Sequence, residues 1–129
     1  MKIKIVFIED DLPTIDVYED IFKDAGFDFK AITSGREGLD FLKKIKENKE
    51  EKPDLILLDL ILPDINGIEI LRDAKNDDYL KNIPFIVFTN YTDPVLEKEI
   101  RQYGAEEYLL KTNYTPSKLV AIIREKLGK

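Results

Sequence analysis

The chain has 129 residues, 26 acidic and 20 basic side chains, a net charge of −6, and neither cysteine nor histidine. Disulfides, thiolate or imidazole metal sites and a histidine general base are thereby excluded, and the negative charge disfavours non-specific binding to nucleic acid or a membrane surface. An apolar share of 43% beside 36% charged residues describes one globular domain, residues 1–129, large enough to bury a core. No apolar run approaches the roughly 20 residues needed to span a bilayer. The start Met1-Lys2-Ile3-Lys4 enters a strand at once, without the apolar stretch and cleavage site of a signal peptide, so the expected location is the cytoplasm.

Strand-like and helix-like segments alternate five times. The first strand, Lys2 to Ile8, runs into Glu9-Asp10-Asp11. Ile15, Tyr18, Ile21, Phe22 and Ala25 follow at helical spacing, and Gly26 ends that helix. Phe27 to Ile32 is a short second strand. Ser34-Gly35-Arg36-Glu37 has the form of a capping box and opens a helix with Leu39, Leu42 and Ile45 on one side. Lys43 to Lys52 carries charges of both signs and is expected to be a solvated helix end and loop.

Asp54 to Pro63 is almost continuously apolar apart from Asp59, the pattern of a strand covered on both faces. Pro63 and the turn Asp64-Ile65-Asn66-Gly67 stop it, placing Asp59 near its carboxyl end. Ile68, Leu71 and Ala74 mark a third helix, and Pro84 precedes the strand Phe85 to Thr89. Asp93-Pro94 starts a helix through Leu96, Ile100 and Tyr103, and Gly104 breaks it. Tyr108 to Leu110 forms the fifth strand, ending at Lys111. Thr115-Pro116 caps a last helix carrying Leu119, Val120, Ile123 and Leu127. Five such units predict an α/β fold, a doubly wound parallel sheet with helices on both faces.

Ligands of open parallel sheets bind outside the carboxyl ends of the strands. Four of the five strands deliver a polar group there: Asp10, Asp59, Thr89 and Lys111. Glu9, Asp10 and Asp59 form an all-oxygen set suited to a hard cation such as Mg2+, while Asp10 and Asp11 also have an alternative role as caps of the first helix. Thr89 alone reads equally as a strand residue, and Lys111 alone as a surface lysine. Together, a carboxylate nucleophile, a divalent cation, a hydroxyl and a lysine suit phosphoryl transfer, which needs positioning and charge neutralisation more than a strong base.

At these spacings the chain resembles the receiver domain of two-component response regulators over essentially its whole length. The matching residues are Glu9-Asp10, the run Asp59-Leu60-Ile61-Leu62-Pro63-Asp64-Ile65-Asn66-Gly67, Thr89 and Lys111. The resemblance implies a flavodoxin-like five-stranded sheet in the order 2-1-3-4-5, with Asp59 as phosphoacceptor. It implies Mg2+ held by Asp10, Asp59 and the backbone carbonyl of Ile61, with Glu9 acting through water. Thr89 and Lys111 would contact phosphoryl oxygens, and Tyr108 stands at the family's aromatic switch position, its alternative being an ordinary half-buried tyrosine. Thr112 replaces the family's usual proline after the lysine, which is expected to reshape that loop. Asn90 stands where a small residue is usual.

The function so implied is a phosphorylation-controlled signalling module that slowly loses its phosphoryl group and is not a dedicated enzyme. The partners implied are a histidine kinase or histidine phosphotransfer protein and a downstream protein effector, with no nucleic acid and no membrane. The chain is expected to be a stand-alone regulator or a piece of a longer protein, without an output domain of its own. A phosphatase of the haloacid dehalogenase type would want an acid where Ile61 stands, and a nucleotide binder would want a glycine-rich loop where Glu9-Asp10-Asp11 stands. The remaining alternative is a receiver-like interaction module that cannot be phosphorylated.

Overall fold

In the computed structural model, which describes residues 2–128, five apolar runs become strands: β1 (Lys4–Ile8), β2 (Asp28–Ile32), β3 (Leu55–Leu58), β4 (Phe85–Thr89) and β5 (Glu107–Leu110). They pair in parallel as one sheet in the order β2-β1-β3-β4-β5. The helices between and after them are α1 (Leu12–Asp24), α2 (Gly35–Lys46), α3 (Gly67–Lys75), α4 (Pro94–Tyr103) and α5 (Pro116–Leu127). Among the described residues, no helix is long and apolar enough to cross a membrane.

The continuous apolar runs hide a two-residue period, because successive strand side chains point to opposite faces. Ile5, Phe7, Leu55, Leu57, Ile86 and Phe88 face α1 and α5, where they meet Tyr18, Phe22, Leu119 and Ile123. Val6, Ile8, Ile56, Leu58, Phe85 and Val87 face the other way, onto Phe41, Leu42 and Ile45 of α2, Leu71 of α3 and Ile100 of α4. The first face is an aromatic cluster: Tyr18 meets Phe7 and Phe88 nearly edge-on, with centroids 5.9 and 5.5 Å away. Burying each such side chain contributes about 1.5–3 kcal/mol. The mooring is uneven, since α2 and α3 each bury five residues whereas α4 buries only Ile100.

Local chemistry sets the helix ends. The side chains of Asp11, Ser34, Asn66, Asp93 and Thr115 accept from backbone N–H groups of the first helical turns, each satisfying a donor the helix cannot. Asp11 is therefore the cap of α1, and Asp10 is not. Gly104, at φ 109°, ends α4 in a left-handed conformation that a side chain would strain.

Some boundaries differ from the sequence reading. β2 starts at Asp28, not Phe27, and β3 stops at Leu58, well before Pro63. Beyond Leu58 the ladder continues only through the Asp59 N–H, which donates to the Ile8 carbonyl at 3.0 Å. The chain then doubles back, with Ile61 bridging to Asn66 and the Gly67 N–H donating to the Leu60 carbonyl at 2.8 Å. Leu80 and Ile83, in the connection from α3 to β4, are fully buried although no periodic segment contains them.

Candidate functional site

The sheet order reverses direction at β1, so the loops after β1 and β3 part there and leave a crevice at their carboxyl ends. Glu9 and Asp10 follow β1, Asp59 follows β3, Thr89 closes β4 and Lys111 follows β5. All five line one cavity of about 530 Å3, with Ile61, Asn90 and Tyr91 at its wall. Every polar residue singled out at the strand ends is thus brought to one place.

Asp59 is buried, only 6% exposed, and reaches outward through this cavity. Its Oδ1 accepts from the Thr89 hydroxyl at 2.8 Å and from the Ile61 N–H at 3.2 Å. Its Oδ2 accepts from the Lys111 ammonium at 3.0 Å. Lys111 donates as well to Glu9 Oε1, while Glu9 Oε2 accepts from the N–H groups of Asp10 and Asp11 at 3.0 and 3.2 Å. Burial pushes the Glu9 carboxyl above its ordinary value; the Lys111 hydrogen bond opposes this and the Asp59 charge adds to it. Burial also disfavours the Lys111 ammonium, but its hydrogen bonds to Glu9 and Asp59 outweigh that and hold its pKa above the usual lysine value. Lys111 is therefore held as the cation shared by the two carboxylates.

Carboxylate oxygens of Glu9, Asp10 and Asp59 lie within 4.8 Å of one another. Asp10 is exposed at the mouth while the other two are buried. Three converging carboxylates, with Lys111 already shared between two of them, fit a small hard dication that takes one or two carboxylates and keeps several waters. Both oxygens of Glu9 and of Asp59 already accept hydrogen bonds, which leaves Asp10 the most available of the three.

A hydrogen-bonded path leads away from the site. The Thr89 hydroxyl donates to Asp59 and accepts from the Tyr91 N–H at 3.3 Å. The Tyr91 carbonyl in turn accepts from the Tyr108 hydroxyl. Tyr108 is turned inward and is 7% exposed, so it is more than a half-buried strand residue. Its ring sits between β5 and the start of the loop into α4. The loop after β5, where Thr112 stands, makes a 3-10 turn over Lys111–Asn113, and no peptide bond among the described residues is cis.

Two features of the site escaped the sequence. Asp64, read only as part of a turn, accepts from the N–H groups of Gly35 and Arg36 at the start of α2; a contact spanning 28 and 29 residues leaves no local signal. The part of Tyr91 that joins the path is its backbone, which residue type does not reveal.

The profile of the response regulator receiver domain matches residues 5–124. The polar-differentiation response regulator DivK of Brucella anthropi is 31% identical over 128 residues, covering 99% of this chain and 98% of that protein. The structure of the phosphorylated cyanobacterial phytochrome response regulator RcpA superposes with a TM-score of 0.82 at 26% identity, covering 98% of this chain and 91% of that one. The Mn2+-bound form of response regulator Rcp1 superposes with a TM-score of 0.80 at 25% identity, covering 95% and 89%. Sequence, sheet order and strand-end constellation agree: this chain belongs to the response regulator receiver domain family.

Proposed function

We propose that Asp59 is the phosphoacceptor of a signalling module that takes a phosphoryl group from the phosphohistidine of a histidine kinase or histidine phosphotransfer protein. One observation carries the reading. The Asp59 carboxylate is aimed into an open cavity with Thr89 on one oxygen and Lys111 on the other, beside the carboxylates of Glu9 and Asp10. In the transfer, a carboxylate oxygen of Asp59 attacks phosphorus, the phosphorus–nitrogen bond of the donor breaks, and the donor imidazole leaves with the bonding pair. Asp59 is left as an acyl phosphate.

The chain's part is positioning and charge neutralisation. Lys111 and Thr89 already touch the two oxygens of Asp59, so each is placed to follow the incoming phosphoryl oxygens. Asp10, Asp59 and the Ile61 carbonyl would hold Mg2+, with Glu9 acting through water, and the bound cation would supply neutralising charge for the phosphoryl group. As the Thr89 hydroxyl turns towards that group it draws on the Tyr91 N–H, and through the Tyr91 carbonyl on Tyr108. The output is a shift in population of the α4–β5–α5 surface, read by a downstream protein. Family membership supports a cytoplasmic location, and the net charge of −6 supports partners that are neither nucleic acid nor membrane. The module hydrolyses its own acyl phosphate slowly and is no dedicated enzyme.

Incubation with Mg2+ and acetyl phosphate followed by intact-mass measurement tests this. One phosphoryl group should add to the protein and none to Asp59→Asn, which keeps the volume but not the nucleophilic charge. Labelling that persists in Asp59→Asn would move the site to another carboxylate. No labelling of the wild type would make the chain an interaction module without phosphate turnover.

A further inference from the structure

The loop from Asp59 to Gly67 is tied down at both of its ends and also at its tip. The Gly67 N–H donates to the Leu60 carbonyl and Ile61 bridges to Asn66, so the two arms are zipped and residues 62–65 form the tip. There the Asp64 carboxylate forks across the start of α2, with Oδ1 accepting from the Gly35 N–H at 2.8 Å and Oδ2 from the Arg36 N–H at 2.9 Å. Gly35 leaves room for this approach, since a Cβ there would lie 2.1 Å from Ile65 Cγ1.

α2 does not need this fork for its own sake. Ser34 already caps it, accepting from the Glu37 N–H at 3.2 Å, and water would satisfy the exposed Arg36 N–H. Because Ile61 and Asn66 are bridged, holding Asp64 also holds the arm that carries Ile61. The Ile61 N–H is one of the donors that orient Asp59.

We infer that Asp64 is a positioning residue for the phosphoacceptor: by clamping the loop tip to the start of α2, it keeps the Ile61 backbone against the Asp59 carboxylate. The inference rests on the reading of Asp59 as phosphoacceptor. Its mechanical part, that the clamp orders the loop, stands apart from that reading.

The test compares Asp64→Asn, which loses one prong of the fork, and Gly35→Ala, which drives Ile65 away, with Ser34→Ala. The last weakens the same helix end without touching the loop. Amide exchange at Gly67, normalised to a β3 core amide such as that of Leu57, reads the loop without metal or phosphate. The rate of phosphorylation by acetyl phosphate at saturating Mg2+ reads the consequence. Asp64→Asn and Gly35→Ala should speed normalised Gly67 exchange about tenfold and slow phosphorylation severalfold. Ser34→Ala should lower the melting temperature and change neither. Exchange and rate unchanged in Asp64→Asn, or changed as much in Ser34→Ala, would overturn the inference. If the wild type takes no phosphoryl group, the reading of Asp59 falls and the inference with it; the exchange data still decide whether the clamp orders the loop.

Discussion

Replacing Lys111 with Met keeps most of the apolar stem and removes the cation shared by Glu9 and Asp59. The oxygens of those two carboxylates lie within 4.8 Å, so at an effective dielectric of about 20 their mutual repulsion is roughly 3.5 kcal/mol. The pair is buried but opens on a wet cavity, so the loss expected near neutral pH without divalent cation is about 3 kcal/mol, the low end of what stripping a partner from a buried ion pair costs. At roughly 4 °C per kcal/mol for a chain of this length, the melting temperature should fall by about 12 °C. Lys111 and a divalent cation neutralise the same charge and therefore oppose each other's binding. Without the lysine, Mg2+ should bind more tightly and return more than half of the lost stability, since a ligand at 100 times its dissociation constant contributes about 2.7 kcal/mol. Asp10→Ala is the converse case: it removes one repelling charge, so it should melt higher than wild type in EDTA and respond weakly to Mg2+. Circular dichroism melts in EDTA and in millimolar MgCl2 measure all of this. A Mg2+ response in Lys111→Met no larger than in wild type would refute the idea that ammonium and dication share one negative site.

The acyl phosphate should be long-lived, because Ile61 and Tyr91 flank the approach to Asp59, are 57% and 42% exposed, and offer no side-chain carboxylate or amide to guide the attacking water. An Ile61→Asn, Tyr91→Glu double variant should lose its phosphoryl group severalfold faster, since about 1.4 kcal/mol of better positioning is already tenfold; equal decay rates would mean that lifetime is set elsewhere. Acid stability has a separate source in Asp77, which accepts from Lys46 at 2.9 Å and from the N–H groups of Tyr79 and Leu80. The Lys46 hydrogen bond, with the two backbone N–H groups, holds its carboxyl below the ordinary value of 3.8, so its contribution is complete above that pH and vanishes as pH falls through the lower folded value. Asp77→Asn should melt lower at neutral pH and show a shallower decline below about pH 4.

What the sequence made legible was chemistry that acts at short range. Caps at Asp11, Ser34, Asp93 and Thr115 announce themselves within four residues, and the five apolar runs separate cleanly because Gly26 and Gly104 punctuate them. Strand ends are polar for few reasons, which is why Asp10, Asp59, Thr89 and Lys111 could be grouped before any coordinates. Tertiary demands were harder to see. Leu60 and Leu62 look like strand, yet the chain folds back at Ile61, where the bridge to Asn66 and the Gly67 hydrogen bond to Leu60 replace the ladder. Leu80 and Ile83 fill the core from a turn, where no period marks them. The inward Tyr108 depends on the Tyr91 carbonyl, a group every residue type possesses.

The uneven mooring of α4 has a mechanical consequence. Aromatic contacts make the α1 side stiff, because moving α1 would break the packing of Tyr18 and Phe22 on Phe7, Phe27, Phe29 and Phe88 at once. On the other side α4 is held by Ile100, with Leu96 and Tyr103 only partly covered, and at about 25 cal/mol per Å2 little apolar burial resists its sliding. The loop that begins at Thr89 feeds directly into this helix. On the proposed reading, a shift of the Thr89 hydroxyl would therefore be delivered to the most compliant helix while the stiff back supplies the reaction force. On that reading the domain would work as a lever with one rigid arm and one soft arm, the soft arm being the one a partner would feel.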